Sequence, residues 1–131
     1  MANTVNRAVW HVTGAAALLL LLPSAGPAQT PDGKALYQAK CGGCHSLDTN
    51  RIGPAHRGIV GRRIATAPGY PYSAAIKRLP GVWTAPLLDR WLTGPQKLAP
   101  GNKMYLTIND AGQRAAIIAY LGSASSPTPP R

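Results

Sequence analysis

The sequence predicts a small all-α domain in which three main helices and some short ones are joined by long loops. Three observations lead to this fold class. Apolar residues recur at helical spacing, turn-forming Gly and Pro separate the helical segments, and no segment has the alternating pattern of a β-strand. The chain has 131 residues with 14 Gly, 13 Pro and no Phe, so it offers little apolar material for a conventional core.

Each main helix is marked at its start. Residues 30–32 supply a cap, a proline and a carboxylate for the positive end of the helix dipole, which predicts a helix from residue 33 to about 40. Thr84, with a proline two positions later, begins a second helix that residues 94–95 end. A third helix is predicted from residue 109 or 110 to a glycine at 122.

A long irregular segment separates the first two of these helices. It runs between residues 51 and 82 and is rich in glycine and proline. Loops of this length within compact domains are usually functional. In a helical domain they make sense if they wrap a bound object rather than one another.

Both ends of the chain are predicted to lie outside the folded domain. A positive charge, an apolar run over residues 12–22 and small residues ending at Ala28 have the layout of a secretory signal peptide, residues 1–28. The run is shorter than the ~20 residues of a membrane-spanning helix, although an uncleaved anchor is the alternative. Residues 29–122 then form the domain, and residues 123–131, rich in Ser and Pro, a disordered tail.

The composition is strongly basic. Fourteen Lys and Arg face four acidic residues, all of them Asp, and the formal net charge is +10 at pH 7. Such a balance favours acidic protein surfaces, nucleic acid or anionic lipid as neighbours. By itself it selects none of them.

Five consecutive residues carry the chemistry: Cys41-Gly42-Gly43-Cys44-His45. This is the attachment signature of c-type haem, and it directly follows the first predicted helix. Residues three apart lie on one face of a helical turn, so both sulfurs can reach the vinyl groups of one haem and the next imidazole can lie beneath the iron. One covalent haem is therefore predicted, with His45 as proximal ligand, and this apolar cofactor would complete the small core.

Other interpretations of the two cysteines require features that the sequence lacks. A thioredoxin-like redox pair needs a strand before the motif. A zinc site needs four ligands, and only His56 is close by. A chance occurrence of the five letters is the third alternative, but the export signal in front and the matching segments downstream favour haem.

The second axial ligand decides between electron transfer and the binding of small molecules at the iron. Met104 is the only methionine after the predicted leader and lies in the turn-forming segment 100–104. A thioether there would close the iron and stabilise its ferrous state. His56 competes for this role, but it follows His45 by only eleven residues. It is interpreted as a packing histidine near the haem edge, on the same side as His45.

Further short segments accompany these residues along the chain. They are Gly53-Pro54, residues 58–62, residues 70–74, Trp83, Leu92, Pro95, residues 100–104 and residues 119–121. In order and spacing, together with the cysteine motif, they resemble the class I cytochrome c family, close to its mitochondrial and bacterial c2-like branch, over nearly all of residues 30–122. The resemblance implies the small cytochrome c fold, with long loops wrapping one haem.

The same resemblance assigns roles to residues around the haem. The carbonyl of Pro54 should accept the second ring proton of His45 and so orient that ligand. Gly33 and Tyr37 should let the first helix cross the last one closely. A haem propionate among apolar groups needs polar partners. The resemblance assigns this task to Arg62, Tyr72, Ser73 and Trp83.

The sequence departs from the family's pattern at a few positions. Trp91 stands where relatives commonly have a tyrosine whose hydroxyl contacts the methionine sulfur, and an indole can donate a hydrogen bond but not accept one. Asn102 and His56 are less usual residues, and the loop over residues 45–53 is short. Few lysines surround the predicted haem site. Arginines are therefore expected to form part of the surface that docks on other redox proteins.

These features predict a one-electron carrier rather than an enzyme, exported to a bacterial periplasm. Its partners are expected to be redox proteins with acidic faces that dock transiently near Lys40, Lys97, Lys103 and Arg57. We expect no nucleic acid, no stable membrane insertion and a monomer. The alternatives are a haem enzyme or gas sensor in which Met104 is displaced, and a membrane-anchored or permanently docked subunit of an oxidoreductase.

Overall fold

Five helices form the framework of the domain. In a computed structural model, which describes Met1 and residues 30–125, they follow one another as α1 (Gly33–Lys40), α2 (Ala74–Lys77), α3 (Ala85–Thr93), α4 (Pro95–Leu98) and α5 (Ala111–Ser123). The longest is α5, with 13 residues. Among the described residues, no helix is both long and apolar enough to cross a membrane.

Side-chain caps fix the start of each main helix. The Thr84 hydroxyl accepts a hydrogen bond from the third residue of α3 at 3.2 Å, and the Asp110 carboxylate accepts one from the third residue of α5 at 2.8 Å. Such caps satisfy backbone amides that a helix leaves unpaired at its first turn. The predicted all-α class and the three main helices are therefore confirmed.

Two details at the helix ends differ from the sequence prediction. Asp32 is itself the cap of α1, because its carboxylate accepts hydrogen bonds from Lys34 and Ala35, and the preceding proline lies outside the helix. Helix α5 continues through Ser123, the first residue assigned to the tail. The predicted signal peptide and the tail beyond residue 125 lie outside the described residues.

No β-strand occurs between residues 30 and 125, where the only strand-like pairing is an isolated antiparallel bridge between Arg63 and Val82. The Trp83 amide donates to the Arg62 carbonyl at 2.9 Å, and the Gly61 amide donates to the Trp83 carbonyl at 2.8 Å. This short pairing places Arg62 beside Trp83. The strand that a thioredoxin-like pair of cysteines would need does not precede the motif.

Helix α1 crosses α5 at very close range. A Cβ atom added at Gly33 would lie 2.1 Å from the carbonyl oxygen of Ala116 and 3.1 Å from Cβ of Tyr120. The next turn of α1 places Tyr37 against Tyr120, with their ring centroids 5.4 Å apart. Because α3 also packs against α5, these three helices hold the termini of the domain together.

Two side chains fasten the long loops to each other. The Asn50 amide donates to the Pro68 carbonyl at 2.8 Å and accepts from the Ala55 amide at 2.9 Å. The Tyr70 hydroxyl donates to the Ile52 carbonyl at 2.7 Å. The loop that follows the cysteine motif is therefore tied to the loop that precedes α2.

We predict that Gly33→Ala lowers the free energy of unfolding by about 1–3 kcal/mol, the usual cost of overpacking, because the new methyl group would overlap the Ala116 carbonyl. Gly122→Ala is the matched control, since a Cβ there meets no atom within 4 Å and alanine is the better helix former. Urea denaturation measures both variants. Equal midpoints would contradict the close crossing of α1 and α5.

Candidate haem site

A cavity of about 480 Å³ is bordered by α1, α3, α5 and the long loops. Much of its wall is apolar, formed by Ile59, Trp83, Leu88, Trp91, Leu92, Ile117 and Leu121. All nine residues that the sequence assigned to a haem site line this same cavity. They are Cys41, Cys44, His45, Pro54, Arg62, Tyr72, Ser73, Trp83 and Met104.

The cysteine motif forms a tight turn at the end of α1. The amides of Cys44 and His45 both donate to the Cys41 carbonyl, at 3.0 and 2.9 Å. Cys41 is buried, Cys44 is exposed, and neither forms a disulfide. Without a disulfide, both sulfurs are available for thioether bonds, and both cysteines line the cavity.

The imidazole of His45 has a defined tautomer. Its Nδ1 lies 2.9 Å from the Pro54 carbonyl, and a carbonyl can only accept, so Nδ1 carries the proton. The lone pair of the neutral ring is then on Nε2, the atom available to a metal. Burial lowers the pKa of His45, which keeps the ring neutral. A Cβ at Gly53 would lie 2.1 Å from Cε1 of this ring, so only glycine fits there.

Two amide side chains build the loop that presents Met104. Asn102 is only 2% exposed; its Nδ2 donates to the Ala99 carbonyl at 2.8 Å and its Oδ1 accepts from the Met104 amide at 2.7 Å. Gln96 donates to the carbonyls of Asn102 and Met104, at 2.9 and 3.0 Å. Gly101 has φ 86°, a conformation that favours glycine. The backbone on both sides of the methionine is thereby fixed.

The methionine sulfur has a hydrogen-bond donor of its own. Trp91 Nε1 lies 3.1 Å from Met104 Sδ, and the indole is held edge-to-face against Trp83 at 5.4 Å between centroids. The substitution of tryptophan for the family's tyrosine therefore keeps a donor at the sulfur. Because the indole N–H cannot accept a hydrogen bond, this contact has one direction only.

A half-buried guanidinium offers a place for an anion. Arg62 donates to the Ala55 and Arg57 carbonyls through its terminal nitrogens, at 2.8 and 3.2 Å. Its Nε is buried and is the only such side-chain atom without a partner within residues 30–125. Tyr72 accepts from an amide at 3.2 Å and keeps its own hydroxyl proton to donate, whereas the Ser73 hydroxyl caps α2. This polar corner suits a haem propionate.

His56 lies beside His45 rather than across the cavity from it. The two imidazole rings stack with centroids 4.0 Å apart and an angle of 22°. Burial, followed by the charges of His45 and Arg62, lowers the pKa of His56 to about 3. A ring stacked on His45 could not reach the opposite face of a metal bound by His45, so this position agrees with a packing role.

The four cations expected near the exposed haem edge lie in three different places. Lys40 and Lys103 line the cavity. Lys97 instead lines a second cavity beside α3. Arg57 is engaged in a two-pronged ion pair with Asp48. The basic rim of the cavity, Lys40 and Lys103, is therefore smaller than the sequence suggested.

Several side chains at the site escaped the sequence analysis. Gln96 was missed because its partners are loop carbonyls six and eight residues away, and no motif marks such contacts. Exposed apolar residues also line the mouth of the cavity: Ile52 (77% exposed) and Tyr105 (76%). Large apolar side chains in loops next to the haem motif were the available signal for them.

The cavity is apolar and is bordered by two thiols and an imidazole in one turn, by a thioether on a fixed loop and by a guanidinium nitrogen without a partner. This combination is typical of a protein that binds haem covalently. The family model described as cytochrome c matches residues 31–125. The chain belongs to the cytochrome c family. Through Cys41 and Cys44 it carries one covalently bound haem c.

Individual relatives agree with this assignment. The chain is 42% identical to cytochrome c2 of Rhodopila globiformis over 101 residues, which span 75% of this chain and 95% of that protein. It is 36% identical to cytochrome c of Sesamum indicum over 106 residues, 78% of this chain and 96% of that one. It is also 39% identical to the cytochrome c-type cyt cy of Rhodobacter capsulatus, over 70% of this chain but only 47% of that longer protein.

A solved structure has the same fold. Cytochrome cH from Methylobacterium extorquens superposes with a TM-score of 0.68 and 35% sequence identity, covering 73% of this chain and 99% of that one. The match extends over nearly all of that protein, so the helices and loops described above share its fold.

We predict that Asn102→Ala lowers the free energy of unfolding by about 1–3 kcal/mol, because the Ala99 carbonyl and the Met104 amide lose their partner in a buried place. Asn109→Ala is the control, since Asn109 is exposed. Urea denaturation of the two purified variants provides the comparison. An unchanged midpoint for Asn102→Ala would mean that this side chain does not hold the loop.

Proposed function

We propose that this cytochrome is a one-electron carrier in which His45 and Met104 are the axial ligands of the haem iron. Membership of the cytochrome c family supports the carrier role. The observation that carries the ligand assignment is that Nε2 of His45 is left free by the Pro54 hydrogen bond, while the Met104 loop borders the same cavity.

The haem supplies the iron whose charge changes by one as an electron arrives or leaves. The protein keeps the surroundings alike in both states. Pro54 holds the imidazole in one orientation, Asn102 and Gln96 hold the methionine loop, and the apolar walls exclude water. A thioether favours the ferrous iron, and a donor on its sulfur withdraws further electron density. These side chains therefore support a raised reduction potential and little rearrangement on electron transfer.

A displaceable methionine, which a haem enzyme or gas sensor would need, is less well supported. Displacing the Met104 side chain would break the hydrogen bond to its sulfur, and moving the loop would also break those to its amide and carbonyl. Buried groups left without partners cost free energy. The side-chain network thus favours a closed iron, and with it electron transfer.

The mouth of the cavity supports transient docking on an acidic partner. Apolar Ile52 and Tyr105 are exposed there, with Lys40 and Lys103 close by. Cations around an apolar patch attract an acidic face and speed the encounter, but exposed ion pairs add little lasting affinity. A carrier needs this combination, since it must leave after each electron. The leader at residues 1–28 and the bacterial c2-type relatives support export to a periplasm.

We predict that Met104→Ala lowers the reduction potential and lets carbon monoxide bind the ferrous protein, because the thioether no longer occupies the iron. The haem should stay on the polypeptide in a denaturing gel, since thioether bonds survive unfolding. Leu106→Ala, in the same loop and also lining the cavity, is the control. A Met104→Ala protein with the parent's potential and spectrum would rule out this ligand.

We predict that ferricyanide, a small anion standing in for an acidic partner, oxidises the ferrous protein more slowly as salt is raised. Electrostatic steering enhances such encounters by about 10 to 10³-fold at low salt and is screened as the Debye length shrinks. Lys103→Glu should reduce the low-salt rate in stopped-flow experiments far more than Lys97→Glu, whose lysine borders the other cavity. Equal effects of the two reversals, or a rate independent of salt, would contradict the proposed rim.

A further inference from the structure

A second histidine, His56, packs against the proposed ligand His45. The ring of His56 stacks on the ring of His45 with 4.0 Å between centroids and 22° between planes. Both rings line the haem cavity. Rings this close and this nearly parallel restrict one another, because neither can turn far about its own bond to the main chain without a clash.

The orientation of His56 is fixed from two sides. Its backbone amide donates to the Ser46 carbonyl at 2.9 Å, which ties it to the residue after His45. Its Nδ1 lies 3.2 Å from the hydroxyl of Tyr37, a side chain that is 4% exposed and packed against Tyr120. The ring is therefore held both by the loop that carries it and by the interface of α1 with α5.

We propose that His56, anchored by Tyr37, is a positioning residue that sets the plane of the His45 imidazole. We also propose that it lowers the reduction potential, because the π-face of its ring lies against that ligand. This inference rests on the proposed ligation by His45. Pro54 fixes the tilt of the His45 ring through one atom, Nδ1. A single hydrogen bond still lets the ring rotate about the axis of that bond. The stacked ring of His56 restricts that remaining rotation.

The direction of the effect on the potential follows from charge. The ferric state places one more positive charge on the iron and its ligands than the ferrous state does. The π-face of a neutral aromatic ring stabilises adjacent positive charge, whereas an aliphatic side chain at the same place does not. Replacing His56 by leucine should therefore favour the ferrous form, as burial in apolar surroundings generally does.

The test uses the haem-loaded protein and three variants. His56→Leu removes the stacked ring, and Tyr37→Phe removes only the hydroxyl that anchors it. Tyr120→Phe is the matched control, because it removes a hydroxyl from the same aromatic cluster at a side chain that packs on Tyr37 and not on His45. The readouts are the reduction potential and the paramagnetic shifts of the haem methyl groups in the ferric protein, which report the plane of the axial imidazole.

We expect both His56→Leu and Tyr37→Phe to change the methyl shift pattern. His56→Leu should also raise the ratio of ferrous to ferric protein at fixed potential by about threefold, a smaller factor than the roughly 10–100-fold loss of metal affinity or activity that follows loss of a metal-bound histidine's hydrogen-bond partner. Tyr120→Phe should leave both readouts unchanged. If the His56→Leu variant does not fold with its haem, the Tyr37→Phe variant tests the proposal alone.

Two outcomes would overturn the proposal. Unchanged shifts and potential in His56→Leu and Tyr37→Phe, with only a loss of stability, would make His56 a packing residue. Equal changes in Tyr120→Phe would assign the effect to the aromatic cluster as a whole. Failure of the underlying ligation is distinguishable from both, because the unaltered ferric protein would then lack the spectrum of a histidine and methionine pair.

Discussion

Many apolar side chains of this domain converge on one cavity, and that constraint explains much of its architecture. Apolar side chains of α3, of α5 and of the loop before α3 form much of its wall. A domain of this size that buries a large apolar cofactor gains core material that its own sequence does not supply. The glycine-rich loops then serve a purpose, since they complete the wall of the cavity between the helices.

The two proposed axial ligands are supported in similar ways by different residues. On one side, the Pro54 carbonyl and the His56 ring support His45. On the other, Asn102 and Gln96 support the backbone of Met104, and Trp91 donates to its sulfur. In both cases a ligand from a loop is made rigid by hydrogen bonds from neighbouring residues. This arrangement suits electron transfer, because a site that does not rearrange loses little energy when its charge changes.

The parts of the site that could be predicted are those encoded locally. Thr84 and Asp110 mark helix starts by side-chain chemistry that acts over three residues, and the cysteine motif requires one turn. The contacts that could not be predicted join distant segments. The folded loops bring Asn50 to Pro68 and His56 to Tyr37. No periodicity or spacing in the sequence predicts these contacts. The position of Lys97, beside the second cavity, could not be predicted for the same reason, since charge in a sequence does not show which face a side chain will occupy.

We propose that the haem iron is closed on both sides by residues of this chain. The absorption spectrum of the purified ferrous protein, recorded with and without carbon monoxide, tests this proposal. Two firmly held ligands leave no position for a diatomic molecule. We expect a low-spin spectrum that carbon monoxide does not alter. Prompt formation of a carbon monoxide complex by the unaltered protein at neutral pH would contradict the proposal.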